Sequence, residues 1–209
     1  SRKHRLPNYT VFDEERYFEP GTEPCVFDVA GIRCGVIICE DCWFAGPARQ
    51  SREAGADLII VPNGSPYHTL QQAARVAQME ARVRETGVPF VYVNRVGGQD
   101  ELVFDGASFV MDTDGSIAQQ LPAWHETLAV ADFERSAPRH VRGALGHALE
   151  PHVYQALVMG VRDYVDKNHF PGVLLGLSGG VDSALTLAVA VDALGAARVR
   201  AVMMPSQYS

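Results

Sequence analysis

The chain has 209 residues, of which 47% are hydrophobic and 21% are charged. This composition excludes a disordered or fibrous protein and suffices for one globular domain or two small ones. Eighteen basic and 25 acidic residues give a net charge of −7, which argues against binding to nucleic acid or to a membrane surface by bulk charge. No apolar run reaches the roughly 18 residues of a membrane span, and the first residues lack the apolar centre of a signal peptide.

The first part of the chain predicts strands that alternate with helices. The predicted elements are a hairpin and a buried strand over residues 24–39 that ends at Cys39, a helix over 46–55, a strand from 57 that breaks at Pro62 and Asn63, a helix over 67–85 and a strand over 89–97. They are followed by a polar loop over 97–106, a hairpin over 107–121 and a last strand over 126–134.

The second part predicts a separate α/β unit. Residues 136–152 carry three of the seven histidines and no strand pattern, which indicates an interdomain connection. They precede a helix over 153–168, a strand over 172–177, a glycine-rich turn, a helix over 184–196 and a strand over 198–205. We expect domains at 1–134 and 151–209 with a linker at 135–150. Each domain is expected to be part of a larger one, because each would leave a sheet edge uncovered.

The glycine-rich turn SGGVDSA, residues 178–184, is the first candidate site. It lies between a buried strand and a helix, where ligands bind in open α/β sheets, and its glycines would let the backbone approach a phosphate. The alternative is an ordinary strand-to-helix turn with a capping side chain. The candidate nucleotide-binding residues are Gly176, Leu177, Ser178, Gly179, Gly180, Val181, Asp182 and Ser183. Asp182 is also the candidate ligand for a magnesium ion that bridges phosphates.

This turn resembles the PP-loop of the ATP pyrophosphatases, which split ATP into AMP and pyrophosphate while they activate a carboxyl or carbonyl group. Residues 203–209, MMPSQYS, resemble the next strand and loop of the NAD synthetase branch. The resemblance implies that ATP and Mg²⁺ are bound at the turn.

The cysteines lie in the first fifth of the chain, a layout that suits a reducing, cytoplasmic setting better than a disulfide framework. Cys34, Cys39 and Cys42 have the spacing of an iron–sulfur loop, but cluster loops are irregular, whereas this segment predicts a strand. A zinc site meets the same objection. Cys39 at a strand end is instead a candidate nucleophile, and the other cysteines, including Cys25, are expected to be small core residues.

The acidic neighbours of Cys39 would raise the pKa of its thiol unless a cation lies near. Only two of the eighteen basic residues are lysines, Lys3 and Lys167. In a chain that otherwise uses arginine, each lysine raises the question of whether a titratable amine is required there. Lys3 is the candidate partner of Cys39, while Lys167 is expected to be an exposed charge on a helix.

GVIICEDCW, residues 35–43, and KHRLPNYTVFDEERYFEPG, residues 3–21, resemble the nucleophile strand and the lysine segment of the nitrilase, or carbon–nitrogen hydrolase, superfamily. The resemblance implies an αββα sandwich and a Glu, Lys and Cys triad. It makes Cys39 the nucleophile, Lys3 the residue that stabilises the oxyanion, and Glu14 an auxiliary glutamate. The glutamate that serves as triad base in the family is expected upstream of Lys3.

Residues 93–108 read as a surface loop on physical grounds, yet they and residues 63–68 resemble signatures of the glutamine-dependent NAD synthetases. This resemblance implies that glutamine is hydrolysed, that ammonia passes to an ATP-dependent site and that deamido-NAD is amidated there. The positions that match the glutamine pocket of the family are Tyr9, Glu40, Trp43, Ser65 and Gln71. Gln71 stands where many relatives have a lysine. An alternative interpretation of Trp43 is that it is an ordinary residue of the hydrophobic core.

Together these observations predict an α/β protein, with part of a nitrilase-like sandwich followed by the start of a doubly wound PP-loop domain. The expected partners are glutamine, ATP and deamido-NAD, and the resemblance implies a homo-oligomer. Two alternatives remain: an amidase coupled to a different PP-loop amidation, and a chain that is inert when isolated.

Overall fold

The computed structural model describes residues 1–141 and 149–203. Part of the predicted linker and most of the MMPSQYS segment lie outside these residues. Within the described ranges, no helix is both long and apolar enough to cross a bilayer. The α-helices are α1 (Pro47–Glu53), α2 (Gln71–Thr86), α3 (Leu149–Lys167) and α4 (Val181–Leu194). The strands are β1 (Cys25–Val29), β2 (Ile32–Val36), β3 (Leu58–Asn63), β4 (Phe90–Asn94), β5 (Val96–Gln99), β6 (Leu102–Asp105), β7 (Phe109–Met111), β8 (Ile117–Gln120), β9 (Phe133–Glu134), β10 (Ala137–Pro138), β11 (Val173–Leu177) and β12 (Val199–Met203).

A six-stranded sheet in the order β1-β2-β3-β4-β7-β8 forms the body of the first part. Strands β2, β3 and β4 are parallel, and the outer strands pair antiparallel. Alternate residues of the central strands, among them Ile59 and Phe90, are fully buried, as the two-residue period of a strand requires. Met79 and Val83 of α2, four residues apart on one helix face, belong to the same core. The predicted strand–helix–strand unit is confirmed.

The predicted strand through Cys39 is wrong in its end point. Strand β2 stops at Val36, and a short 3-10 helix, Cys39–Trp43, follows. The chain leaves the sheet because the Ile38 amide donates a hydrogen bond of 3.0 Å to the Asp41 carboxylate instead of to a neighbouring strand. A second end point is also wrong, because β3 continues through Pro62 to Asn63.

Two further predicted elements are corrected. The polar loop over 97–106 is a hairpin, β5–β6, because Gly97 and Gly98 allow its first strand to lie close against α3. The strand over 126–134 is reduced to Phe133–Glu134, which pairs with Ala137–Pro138 inside the predicted interdomain connection. The preceding residues are exposed, with Leu128 almost fully accessible.

The second part contains a parallel β11–α4–β12 unit, as predicted. Helix α3 packs against α4 through a small apolar cluster of Val158, Val189 and Ala193. Gly195 ends α4 with a positive φ of 78°, a conformation that glycine adopts without strain.

Helix α3 also joins the second part to the first. Asp163 accepts a 2.6 Å hydrogen bond from the Gly98 amide, and Lys167, which the sequence predicts to be only an exposed charge, donates to the Gly98 carbonyl. Beside this polar contact, Met159 packs in a buried cluster with Ala107 and Trp124. The hairpin β5–β6 and helix α3 therefore form one packed junction.

Adding a methyl group at the junction should separate its two faces. A Cβ on Gly98 would lie 3.0 Å from the Cβ of Asp163 and 3.5 Å from the Met159 carbonyl. We expect Gly98→Ala to lower the free energy of unfolding by about 1–3 kcal/mol, the usual cost of overpacking. Urea unfolding of the full-length protein measures it, with Leu157→Ala on an exposed face of α3 as the control. Equal stability of both variants would contradict the prediction.

Candidate active site

The Cys39 thiol lies at a sharp turn after β2. Cys39 adopts a φ of +47°, which is strained for a residue with a side chain and is found most often where function requires it. The turn starts the short 3-10 helix and presents the thiol to a cavity of about 740 Å³. The backbone at Cys39 thus has the strand-to-helix character expected of a nucleophile turn.

Lys3 and Glu14 line the same cavity as Cys39. The Lys3 Nζ lies 2.6 and 2.7 Å from the two carboxylate oxygens of Glu14, and only 11% of the lysine side chain is exposed. A charged pair with both oxygens engaged fixes the direction of the ammonium group. The structure therefore brings together the three residues that the sequence predicts to be catalytic.

Several groups act on the Cys39 thiol. Burial is the largest influence and raises its pKa above the usual value. A hydrogen bond to the Gly64 backbone and the positive charge of Lys3 lower the pKa, while the carboxylates of Glu40 and Glu14 raise it. The net pKa is raised, so the thiol is largely protonated at neutral pH and a base must remove its proton during attack.

Tyr9 and Glu40 meet in a neighbouring cavity of about 650 Å³. The Tyr9 hydroxyl donates a 2.8 Å hydrogen bond to Glu40 Oε1. Partial burial, followed by this bond and the glutamate charge, raises the pKa of Tyr9 to about 12. The phenol therefore remains a hydrogen-bond donor throughout the neutral range.

The other three residues predicted for the glutamine pocket lie outside the linings of these two cavities. Trp43 packs at the edge of the main core, in agreement with its alternative reading. Ser65 is buried and accepts hydrogen bonds at its hydroxyl from Gln71 at 3.0 Å and from Arg75 at 3.1 Å. Ser65, Gln71 and Trp43 line neither of the two cavities described above.

A buried polar network holds the loop that contains Gly64 and Ser65, and the sequence does not predict three of its members, Arg75, Asn94 and Asp105. The Asn94 side-chain oxygen accepts a hydrogen bond of 2.9 Å from the Ser65 amide, and the Arg75 guanidinium donates one of 2.7 Å to the Ser65 carbonyl. Arg75 is fully buried and pairs with Asp105, its Nη1 lying 2.8 Å from Oδ1. Asn94 and Asp105 both belong to the segment 93–108, so that segment's resemblance was the available signal.

The candidate nucleotide loop lies between β11 and α4 and is exposed. Gly179 has a φ of +86°, and Gly180 precedes the first turn of α4 in an extended conformation. The Ser178 and Ser183 hydroxyls lie 3.2 Å apart, and Ser183 donates to the Gly180 carbonyl. The loop thus directs two hydroxyls and a helix N-terminus to one place.

The residues of this loop fit a magnesium–nucleotide complex. A Cβ on Gly180 would meet only the Ser178 hydroxyl, at 3.7 Å, so the backbone is open to an approaching phosphate. Asp182 supplies one carboxylate in the first turn of α4. Within the described residues no group of three or more histidine, cysteine or acidic side chains forms a metal cage. One carboxylate with substrate phosphates is a common way to hold Mg²⁺.

Comparison with known proteins agrees with both parts of the chain. Residues 1–142 match the family model "Carbon-nitrogen hydrolase", and residues 153–209 match "NAD synthase". The chain is 46% identical over 209 residues to the glutamine-dependent NAD(+) synthetase of Acinetobacter baylyi and 50% identical over 216 residues to that of Xylella fastidiosa. The two alignments cover 99% and 100% of this chain and 39% of each relative. The chain therefore spans about two fifths of the relatives' length.

The solved structures give the same result. The glutamine-dependent NAD+ synthetase of Acinetobacter baumannii, in complex with ADP, superposes with a TM-score of 0.93 at 48% identity, covering 99% of this chain and 40% of that one. A carbon-nitrogen hydrolase from Helicobacter pylori superposes with a TM-score of 0.55 at 26% identity, and the superposition covers 60% of this chain and 48% of that one. The predicted fold class and the resemblance to NAD synthetases are confirmed. The chain belongs to the carbon–nitrogen hydrolase family.

Proposed function

We propose that this chain is the part of a glutamine-dependent NAD synthetase that joins a glutamine-hydrolysing site to an ATP site. The observation that carries the proposal is the convergence of Cys39, Lys3 and Glu14 on one cavity. The similarity to synthetases over nearly the whole chain supports it. We place the domain boundaries at residues 134 and 150, and we assign the protein to the cytoplasm as a homo-oligomer.

In the first step the Cys39 sulfur attacks the side-chain amide carbon of glutamine. The Lys3 ammonium and a backbone amide after Cys39 stabilise the oxyanion that forms on the amide oxygen. The proton that a base removes from the thiol passes to the amide nitrogen, the carbon–nitrogen bond breaks, ammonia leaves and a thioester remains until water releases glutamate. We assign Tyr9 and Glu40 to the glutamine pocket, because they line the cavity beside that of Cys39. Trp43, Ser65 and Gln71, which line neither cavity, stay predictions from the family resemblance alone.

At the second site, residues 176–183 bind ATP. The loop amides and the hydroxyls of Ser178 and Ser183 contact the phosphates, and Asp182 would hold Mg²⁺, which neutralises phosphate charge when bound. The carboxylate of deamido-NAD attacks the α-phosphorus and pyrophosphate leaves. Ammonia then displaces AMP to give NAD. A passage shielded from water keeps ammonia unprotonated and nucleophilic.

The test is labelling of the full-length protein with an electrophilic glutamine analogue, followed by intact-mass measurement. Wild type should gain one label and Cys39→Ala none. NAD formation from deamido-NAD and ATP should then be lost in the variant with glutamine but retained with ammonia. Labelling of Cys39→Ala with unchanged glutamine use would overturn the first site. Glutamine-dependent pyrophosphate release without deamido-NAD would favour a different PP-loop amidation.

The role of Asp182 can be tested separately. We expect Asp182→Asn to lower ammonia-driven pyrophosphate release at limiting Mg²⁺ by at least about tenfold, since loss of even an outer-shell partner costs a metal site 10–100-fold. Glutamine hydrolysis measured without ATP should not change. Asp192→Asn is the matched control, because Asp192 lies ten residues further along the same helix and accepts a hydrogen bond from the Tyr154 hydroxyl. Equal activity of both variants would contradict the assignment.

A further inference from the structure

In the segment 1–21, which carries Lys3, the one regular element is the short 3-10 helix Glu14–Arg16. Lys3 itself is paired with Glu14, and its carbonyl accepts a 2.8 Å hydrogen bond from Gly21. These bonds are internal to the segment 1–21 and do not fix its distance from Cys39. Six residues after Lys3, Tyr9 bonds to Glu40 of the turn; another group connects the residues next to Lys3.

Asp41, two residues after the nucleophile, makes that connection. Its Oδ1 accepts the backbone amides of His4 at 2.9 Å and Arg5 at 2.7 Å. Its Oδ2 accepts the amide of Ile38, the residue before Cys39, at 3.0 Å. The residue is 1% exposed, so its charge is satisfied almost entirely by these backbone donors. Hydrogen bonds to a buried carboxylate are strong and directional.

We propose that Asp41 is a positioning residue: its carboxylate ties the lysine segment to the nucleophile turn and thereby sets where the Lys3 ammonium lies relative to the Cys39 thiol. This inference rests on the glutamine-hydrolysing function proposed above. One side chain bridges the residues next to Lys3 and the residue next to Cys39, so a shift at either end changes the separation of the two reacting groups.

The sign of the effect on Cys39 separates positioning from a simple charge effect. The titratable groups around the thiol are Lys3, Glu14, Glu40, Cys42, Tyr9 and Tyr92. Removing a negative charge at position 41 would favour the thiolate and lower the pKa of Cys39. Displacing the Lys3 ammonium would disfavour the thiolate and raise that pKa. The two explanations therefore predict opposite shifts.

The test uses Asp41→Asn in the full-length protein, with Asp57→Asn, whose side chain is half-exposed, as the matched control. Site-resolved mass spectrometry follows iodoacetamide alkylation of Cys39 against pH. We expect the alkylation midpoint to move upward in Asp41→Asn and in Lys3→Gln, with no further shift in the double variant. The kcat for glutamine hydrolysis should fall about tenfold or more, while KM changes less than about twofold. An unchanged or lowered midpoint overturns the proposal.

Hydrogen exchange of the wild-type protein provides a second measurement, which does not depend on the variant folding. The amides of His4 and Arg5 should exchange slowly although they lie outside any helix or strand, and Asp41→Asn should release them selectively. Rapid exchange of both amides in the wild type would overturn the proposal. Neither exchange nor alkylation requires glutamine hydrolysis. If Cys39→Ala and Lys3→Gln leave glutamine use intact, the proposed function fails while the positioning result stands.

Discussion

Replacing Lys3 by glutamine in the full-length protein should lower kcat for glutamine hydrolysis by about 10²–10³-fold, the usual cost of removing one oxyanion donor. The Lys3 ammonium is nearly buried against Glu14 and lines the cavity that holds Cys39, so its charge is little screened by water. A neutral amide cannot replace it. Release of glutamate measures the effect, and NAD formation from free ammonia should be retained.

The matched control for Lys3→Gln is Arg84→Gln, which removes a positive charge from an exposed ion pair on α2. Its kcat should stay within about twofold of wild type, because exposed ion pairs contribute little. A Lys3→Gln enzyme that keeps its kcat would remove the lysine from the mechanism. A loss shared by the ammonia-driven reaction would indicate a folding defect instead.

Replacing Asp105 by asparagine should lower the free energy of unfolding by about 3–5 kcal/mol, because it leaves the Arg75 charge buried without its partner. Arg75 has no exposed surface through which water could compensate. The same change should disturb the loop of Ser65, whose hydroxyl and carbonyl both accept from Arg75. Urea unfolding measures the stability, and Cys39 labelling by the glutamine analogue should become slower.

Two further variants serve as controls for the predicted effect of Asp105→Asn on stability. Glu80→Gln removes a carboxylate from an exposed pair on the same helix and should cost less than about 1 kcal/mol. The double variant Arg75→Met with Asp105→Leu should recover much of the stability, because a buried ion pair is often replaced by apolar residues at little cost. It should not recover labelling, because the Ser65 loop still lacks its donor. Equal stability of Asp105→Asn and Glu80→Gln would contradict the role of the buried pair.

The sequence predicted the elements whose signal is local. Alternating or continuous apolar runs located β3, β4 and β11, and the periodic segment 67–85 located α2. Cys39, Lys3 and Glu14 were found together because their segments resemble a known family. The convergence of Lys3 and Cys39, 36 residues apart in the chain, required that resemblance, since spacing alone carries no such information.

The sequence could not predict features that depend on contacts between distant segments. The hairpin β5–β6 reads as a polar loop because its glycines face a helix about 60 residues further along the chain. Arg75 and Asp105 look like surface charges, and only the fold reveals that they are buried together. The acidic residues beside Cys39 predict only a local influence on its thiol, whereas the oxygens of one of them, Asp41, accept hydrogen bonds from amides on two separate segments.

Helix α3 has a consequence for how the protein unfolds. In the chain it precedes the β11–α4–β12 unit, and Val158 packs it on α4. Through Met159 and Asp163, however, it also covers the β5–β6 hairpin of the preceding unit. Neither unit can lose its structure without exposing a face of this shared helix, so their melting is thermodynamically coupled. The two units should therefore behave in calorimetry as one cooperative block rather than as two independent transitions.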